Sequence, residues 1–388
     1  MNSNVTTEVQ RSFEARYGRR PLWIASAPGR VNLIGEFTDY NDGFVLPMAL
    51  AQRTVVAAAP NGSSRIVVYS SANGETDAID TQSPIAPDST GRWTNYVRGV
   101  LAGFIGVGVK LQGFDAVIGS DVPIGAGLSS SAALEVAFAT LVEGLHGVRL
   151  DPVEKALLCQ QAEHNFAGVP CGIMDPFIAT LGRADHAMFL DCRSRQPEWL
   201  PLADPSVTVL VVNTHVKHQL ATSAYALRRQ ECQTAVQALS VPSLREASFE
   251  MLARQADRMD GVIVRRARHV IGEIARTAQA SRCIRERNWT ELGQLLNASH
   301  ESLQNNYEVS CPELDAVVAI AQDIGISGGV YGCRMTGGGF GGCTVALIQA
   351  DRQERVAQTI RDEYQARTGI AASVFASRPG DGAQLLAA

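Results

Sequence analysis

The chain has 388 residues, of which 46% are apolar and 19% charged, and its formal net charge is -5. That length holds two domains and a sizeable core, and the composition is that of a soluble globular protein. The charge gives no sign of a nucleic-acid or membrane-surface partner. Lys occurs only at 110, 155 and 217, so any anion chemistry must lean on Arg, backbone N–H groups or a metal ion.

Residues 1–7 are polar, so no signal peptide is expected. The longest apolar stretch, Val97 to Val109, is broken by Arg98 and is too short to span a bilayer. Eight cysteines, at 159, 171, 192, 232, 283, 311, 333 and 343, show no CxxC pair and no regular spacing. They read as reduced thiols of a cytoplasmic protein, and zinc is not expected.

Thr6 to Tyr17 reads as an amphipathic helix. Ala27 to Gly43 then packs one cation, three acids, three amides or hydroxyls, a Tyr and three glycines into seventeen residues. Each buried polar group needs a partner, so this stretch reads as a loop holding a small polyhydroxylated ligand rather than as a core strand. Thr54 to Ala59 and Arg65 to Tyr69 read as strands, with turns at Asn61-Gly62 and Asn73-Gly74. Phe114 to Ile118 reads as a strand, and helices are expected at about Ser130 to Leu145 and at Pro152 to Phe166, the second capped by Asp151.

Between Phe114–Ile118 and the next helix runs Pro123-Ile124-Gly125-Ala126-Gly127-Leu128-Ser129-Ser130-Ser131-Ala132-Ala133. Glycines let successive N–H groups face an anion, and the following helix adds its positive end. The three serines offer hydroxyl donors or a ligand for Mg²⁺. The Walker pattern is absent.

Asp175 is expected in a turn after Gly168 and Pro170. Ala187 to Leu190 reads as a strand, and the aperiodic, proline-containing Arg193 to Pro205 as a domain boundary, dividing the chain into 1–195 and 196–388. Val207 to Val212 reads as a buried strand. Helices follow at Ser223 to Leu239, Met259 to Arg287, Glu291 to Gln304 and Pro312 to Ile324. Arg334 onward reads as a glycine-rich loop feeding a strand at Thr344 to Ile348, then a helix at Arg352 to Arg367 and a strand at Ala372 to Ala376. The irregular order of strands and helices predicts an α+β fold.

The stretch Ala27 to Gly43 resembles the signature of galactokinases, in the GHMP family of small-molecule kinases, with Phe37 where that signature has His. The glycine-serine loop resembles the GHMP motif P-x-G-x-G-L-x-S-S-A-A. Cys171-Gly172-Ile173-Met174-Asp175 resembles the galactokinase segment that carries a catalytic Asp. Met335 to Gly342 resembles the third motif of the family, and Asn213 to Arg229 a segment of its second domain.

The resemblance implies two α+β domains, an N-terminal ribosomal-S5-like one and a C-terminal ferredoxin-like one, with the active site in the cleft between them. It implies ATP-dependent phosphorylation of the anomeric hydroxyl of a galactose-type sugar; a monomer is expected. Asp175 would accept the hydroxyl proton, with Arg30 holding it ionised and stabilising the transferring group. Ser131 and Glu163 would ligate Mg²⁺. Gly125, Gly127, Leu128, Ser129, Ser130 and Ser131 would hold the ATP phosphates, and Trp93 would stand near the adenine. Glu36, Phe37, Asp39, Gly172 and Tyr225 would form the sugar pocket. Phe37 opens a second expectation, an L-arabinose or broad-specificity sugar 1-kinase, with a preference for a sugar lacking the sixth-carbon hydroxyl, such as L-arabinose or 6-deoxygalactose. Pro176, where the family usually has Gln, together with Phe37, opens a third: a sugar- and ATP-binding sensor without turnover.

Two motif matches are set aside. Gly337, Gly339 and Gly342 fit G-x-G-x-x-G, but a strand follows them where a dinucleotide site needs a helix. Gly325-Ile326-Ser327-Gly328-Gly329 fits G-x-S-x-G, but it follows a helix where a nucleophile elbow needs a strand. His215 and His218 read as surface or capping residues.

Overall fold

The computed structural model describes residues 4–217 and 221–386. His218 lies outside them. The first helix, Asn4–Tyr17, buries Val5, Val9 and Phe13 along one stripe, packed on the strands Pro47–Pro60 and Phe114–Ser120.

Those strands belong to a six-stranded sheet in the order Gln384–Leu386, Trp23–Asn32, Pro47–Pro60, Phe114–Ser120, Arg65–Ser70, Thr76–Asp80. Among the described residues only Arg65–Ser70 and Phe114–Ser120 pair in parallel. A second sheet, fully antiparallel, runs Val330–Thr336, Gly341–Gln349, Val207–Lys217, Ser373–Ser377. A small third sheet joins Phe44–Val45, His186–Asp191 and Gln196–Pro201. Helices cover these sheets, so the fold is α+β as expected.

Four local expectations need correction. Residues 27–32 are strand rather than loop, the buried end of Trp23–Asn32. The polar load is tolerated because its partners come from far along the chain: Asn32 N–H donates to Thr336 Oγ1 at 3.1 Å, and Asn32 Oδ1 accepts from Leu46 N–H at 3.2 Å. Asp175 lies in the first turn of a helix, Met174–Leu181, where Pro176 lacks only an N–H that the helix does not use. The aperiodic Arg193 to Pro205 contains the strand Gln196–Pro201. Its prolines fit because it is an edge strand. Arg334 belongs to the strand Val330–Thr336, which leaves the glycine loop only residues 337–340.

The largest apolar cluster joins both halves of the sequence, with Val31, Leu46, Met48 and Leu128 packed with Val209, Val211, Ile284, Leu292 and Val345. The cleft next to this cluster is therefore framed by a shared core. All eight cysteines are free. No helix of the described residues is long and apolar enough to cross a membrane.

Candidate active site

Two cavities meet at one ion pair. A cavity of about 140 Å³ is lined by Arg30, Glu36, Phe37, Asp39, Gly172, Asp175 and Tyr225, among others. A larger cleft of about 560 Å³ is lined by residues 124–131 of the glycine-serine loop, except Ala126, together with Trp93, Tyr96 and Leu134. Arg30, Asp175 and Gly338 line both.

Arg30 reaches Asp175 from the end of the first sheet strand. Its Nε and Nη2 donate to the two carboxylate oxygens at 2.7 and 2.9 Å, and Nη1 donates to Gly127 O at 2.6 Å. This is a bidentate charge-assisted pair. Burial alone would lower the Arg30 pKa, but the charges of Asp175 and Glu36 outweigh it and hold the guanidinium above its ordinary value. Ser129 Oγ also donates to Asp175 Oδ2.

Gly125, Gly127 and Ser129 all have positive φ, the kind of backbone that lets N–H groups converge on an anion, and the loop leads straight into the helix Ser130–His146. At Gly337 a Cβ would fall 2.6 Å from Gly127 O. The third glycine motif thus packs directly on the phosphate-type loop.

Glu163 starts a single π-helical turn, Glu163–Ala167. Its carboxylate is buried, beside Ser131 and Cys171. Burial, then the charge of Asp175, pushes it up to about 7.

On the opposite side of the small cavity, Glu36 Oε1 accepts from Gly337 N–H at 2.8 Å and Thr336 Oγ1 at 3.1 Å. Asp39 accepts from Tyr40 N–H at 3.0 Å and Met174 N–H at 3.4 Å. Burial, then Asp175, pushes Asp39 up to about 6. At Gly172 a Cβ would stand 1.6 Å from Asp39 Oδ2, so only glycine fits.

Phe37 has φ 65° and is 5% exposed. Its ring centroid lies 4.7 Å from Tyr307, 5.8 Å from Tyr225 and 6.5 Å from Tyr40. It therefore anchors one wall of the cavity in the helical apolar cluster of the second half.

All the residues expected to react, to bind sugar or ATP, or to hold the metal line one of the two cavities or both. Sequence reasoning did not find Val169, Met174, Gly338, Tyr96, Ala72 or Asn73, which also line them. Met174 and Gly338 sit within recognisable segments and Asn73 within a turn signal, but Val169, Tyr96 and Ala72 carry no signal of their own beyond proximity in the fold.

Three family profiles match the chain: the galactokinase galactose-binding signature over residues 11–60, the GHMP kinases N terminal domain over 95–183 and the GHMP kinases C terminal over 280–366. Human galactokinase is 44% identical over 390 residues, covering 99% of this chain and 97% of its own length. The chain belongs to the galactokinase family of GHMP kinases. The bovine galactokinase is 45% identical, covering 98% of this chain and 96% of its own. Among solved structures, the Lactococcus lactis galactokinase complexed with galactose superposes with a TM-score of 0.93 at 32% identity, over 99% of this chain and 100% of that one.

As a GHMP kinase, the protein is a sugar kinase that uses ATP as phosphoryl donor. In this galactokinase-family fold the larger cleft offers apolar side chains from Trp93, Tyr96, Leu134 and Ile124 beside the glycine-serine loop, a combination suited to a base and its phosphates. Trp93 is fixed by its indole N–H, which donates to Glu75 Oε2 at 2.8 Å. Among the described residues no group of three or more His, Cys, Asp or Glu side chains is placed to hold a metal ion. The Ser131–Glu163 pair supplies two hard oxygen donors. That set fits Mg²⁺, which keeps several waters and takes phosphate oxygens for the rest of its shell.

Proposed function

We propose that the protein transfers the γ-phosphoryl group of ATP to the anomeric (C1) hydroxyl of galactose. The observation that carries this reading is the Arg30–Asp175 pair at the junction of the two cavities. A nucleotide in the larger cleft puts its terminal phosphate beside that pair, and a sugar in the smaller cavity puts a hydroxyl there from the other side. Phosphoryl transfer needs this in-line positioning more than it needs covalent chemistry.

In this reading Asp175 accepts the hydroxyl proton. It need not be a strong base, because proton transfer comes late in a loose transition state. Arg30 keeps Asp175 ionised and, being always charged, stabilises the equatorial oxygens of the transferring group. The N–H groups of residues 125–131 cradle the phosphates. Glu36 and Asp39 accept hydrogen bonds from sugar hydroxyls, while Tyr225 and Phe37 wall the cavity. Mg²⁺, held by Ser131 and Glu163, neutralises phosphate charge when bound.

Two lobes, taken as 1–195 and 196–388 with the last strand returned to the first sheet, would frame the cleft. A monomer in the cytoplasm is the simplest setting, and the eight free thiols support a reducing compartment. The reading as a sensor finds no support in a site that retains Arg30, Ser131, Glu163 and Asp175.

Asp175→Asn tests the assignment of the base. It should lower kcat by about 10²–10⁴-fold while ATP affinity, measured by calorimetry, stays at the wild-type value. Unchanged turnover would show that another group takes the proton.

A further inference from the structure

Ser129 stands at the cap of a helix and does not use its hydroxyl there. Its carbonyl accepts a bond from the first turn of the helix Ser130–His146, from Ala133 N–H at 3.1 Å. A serine in that place normally turns its hydroxyl oxygen to one of the helix's leading N–H groups. Asp151, Ser248, Asp260 and Asn288 all cap the helices they precede in this way, by side chain. Ser129 makes no such bond to its helix. Its Oγ donates instead to Asp175 Oδ2, 46 residues further along the chain.

Ser129 also has φ 57° and ψ 50°, the left-handed conformation that strains a residue with a Cβ. Gly125 and Gly127, just before it in the loop, meet the same demand without a side chain. A glycine at 129 would avoid the strain, and an ordinary cap would satisfy the helix. What the serine supplies is one hydroxyl aimed at the base.

Asp175 is thereby held unevenly. Oδ2 accepts from both Ser129 Oγ and Arg30 Nη2, whereas Oδ1 accepts from Arg30 Nε alone among the described residues. A carboxylate oxygen has two lone pairs, so Oδ2 is filled and Oδ1 keeps one. Ser129 lines the nucleotide cleft but not the sugar cavity, while Asp175 lines both. The filled oxygen is therefore tied from the nucleotide side.

We infer that Ser129 is a positioning residue for the base: its hydroxyl occupies Asp175 Oδ2 and so presents Oδ1 to the sugar. The inference rests on the reading of Asp175 as proton acceptor. In the transfer step the O–H bond of the C1 hydroxyl breaks and its proton passes to Oδ1. The C1 oxygen bonds the γ-phosphorus, and the bond from that phosphorus to the β–γ bridging oxygen breaks, its electron pair leaving on ADP.

A rapid-quench single turnover with ATP, Mg²⁺ and galactose reads the transfer step, and calorimetry reads ATP affinity. Ser129→Ala should slow the transfer step by about 10–100-fold, the contribution of one hydrogen bond to a charged group, with ATP affinity at the wild-type value. Ser129→Gly should do the same. Glycine takes this backbone freely, so that variant carries the test if the alanine variant fails to fold. In the Asp175→Asn protein, adding Ser129→Ala should cost little further rate, because residues that act through one another are not additive. A wild-type rate in either folded variant overturns the inference. So does weakened ATP affinity, which would give the hydroxyl to the phosphates, or a full further loss on top of Asp175→Asn. Wild-type turnover in Asp175→Asn would overturn the reading of Asp175 and this inference with it, whereas a crippled Asp175→Asn protein beside a fully active Ser129→Ala protein overturns the inference alone.

Discussion

At Gly172 the backbone comes so close to Asp39 that a methyl group would overlap the carboxylate. Gly172→Ala must therefore displace Asp39 or the turn before Asp175. A misplacement of about 1 Å can cost about 10²-fold, so kcat/KM for the sugar should fall by about that factor while KM for ATP is retained. Steady-state kinetics with each substrate varied in turn checks this. Asp39 itself carries a pH signature. Its carboxyl is raised by burial and by Asp175 to about 6 in the folded protein, against 3.8 ordinarily. The ionised form, which accepts hydrogen bonds from sugar hydroxyls, prevails only above about 6, so kcat/KM for the sugar should fall as pH drops through that value. Asp39→Asn should remove this limb, at the cost of weaker sugar binding; a limb that persists would assign it to another group. For stability the sign is opposite. The folded state binds this proton more tightly than the unfolded state, so Asp39 weakens the fold as pH rises from about 4 to 6.

At the scale of elements, the helix Ala221–Leu239 and the turn before Asp175 are held by one guanidinium. Arg229 Nη1 donates to Pro170 O at 3.0 Å, and the Arg229 guanidinium lies 5.8 Å from the Tyr40 ring centroid. Four residues earlier on the same helix, Tyr225 walls the sugar cavity. A hydrogen bond to a charged group contributes about 1.5–3 kcal/mol. Arg229→Ala should thus raise KM for the sugar by about tenfold or more, with KM for ATP and kcat little changed. An equal loss for both substrates would mean general loosening instead. Much at this scale was legible in the sequence. The helix Ser130–His146 and the strand Val207–Lys217 announce themselves through apolar runs bounded by glycine or proline. Trp23–Asn32 did not, because its polar residues disguised a strand whose partners lie elsewhere. Gln196–Pro201 did not either, since its two prolines read as a break although an edge strand tolerates them.

Across the whole molecule, the signature segment is gripped by charged residues from the other end of the chain. Arg334 is 0% exposed, and its Nη1 donates to Asn32 O at 2.8 Å and Leu33 O at 3.2 Å, while Nη2 lies 3.3 Å from Glu36 Oε1. Burial would raise the Glu273 carboxyl, but Arg276, His269 and Arg334 outweigh it and bring it down to about 2. His269 Nε2 donates to Glu36 O at 3.2 Å, and burial holds its ring near 4. None of this network was legible, because no local pattern ties residue 36 to residues 269, 273 and 334. The site's direct contacts were legible as motifs, whereas the supports behind them exist only in the fold. The claim that all of this serves is the phosphorylation of galactose at C1. Its most direct test is ADP release by the purified protein with ATP and Mg²⁺ against galactose, L-arabinose, 6-deoxygalactose, galactosamine and glucose, with the product's phosphate position read by ³¹P and ¹H NMR. Galactose should lead the panel and yield the 1-phosphate. ADP release led by a sugar without the sixth-carbon hydroxyl, a phosphate on another carbon, or no ADP release on any sugar would contradict the account.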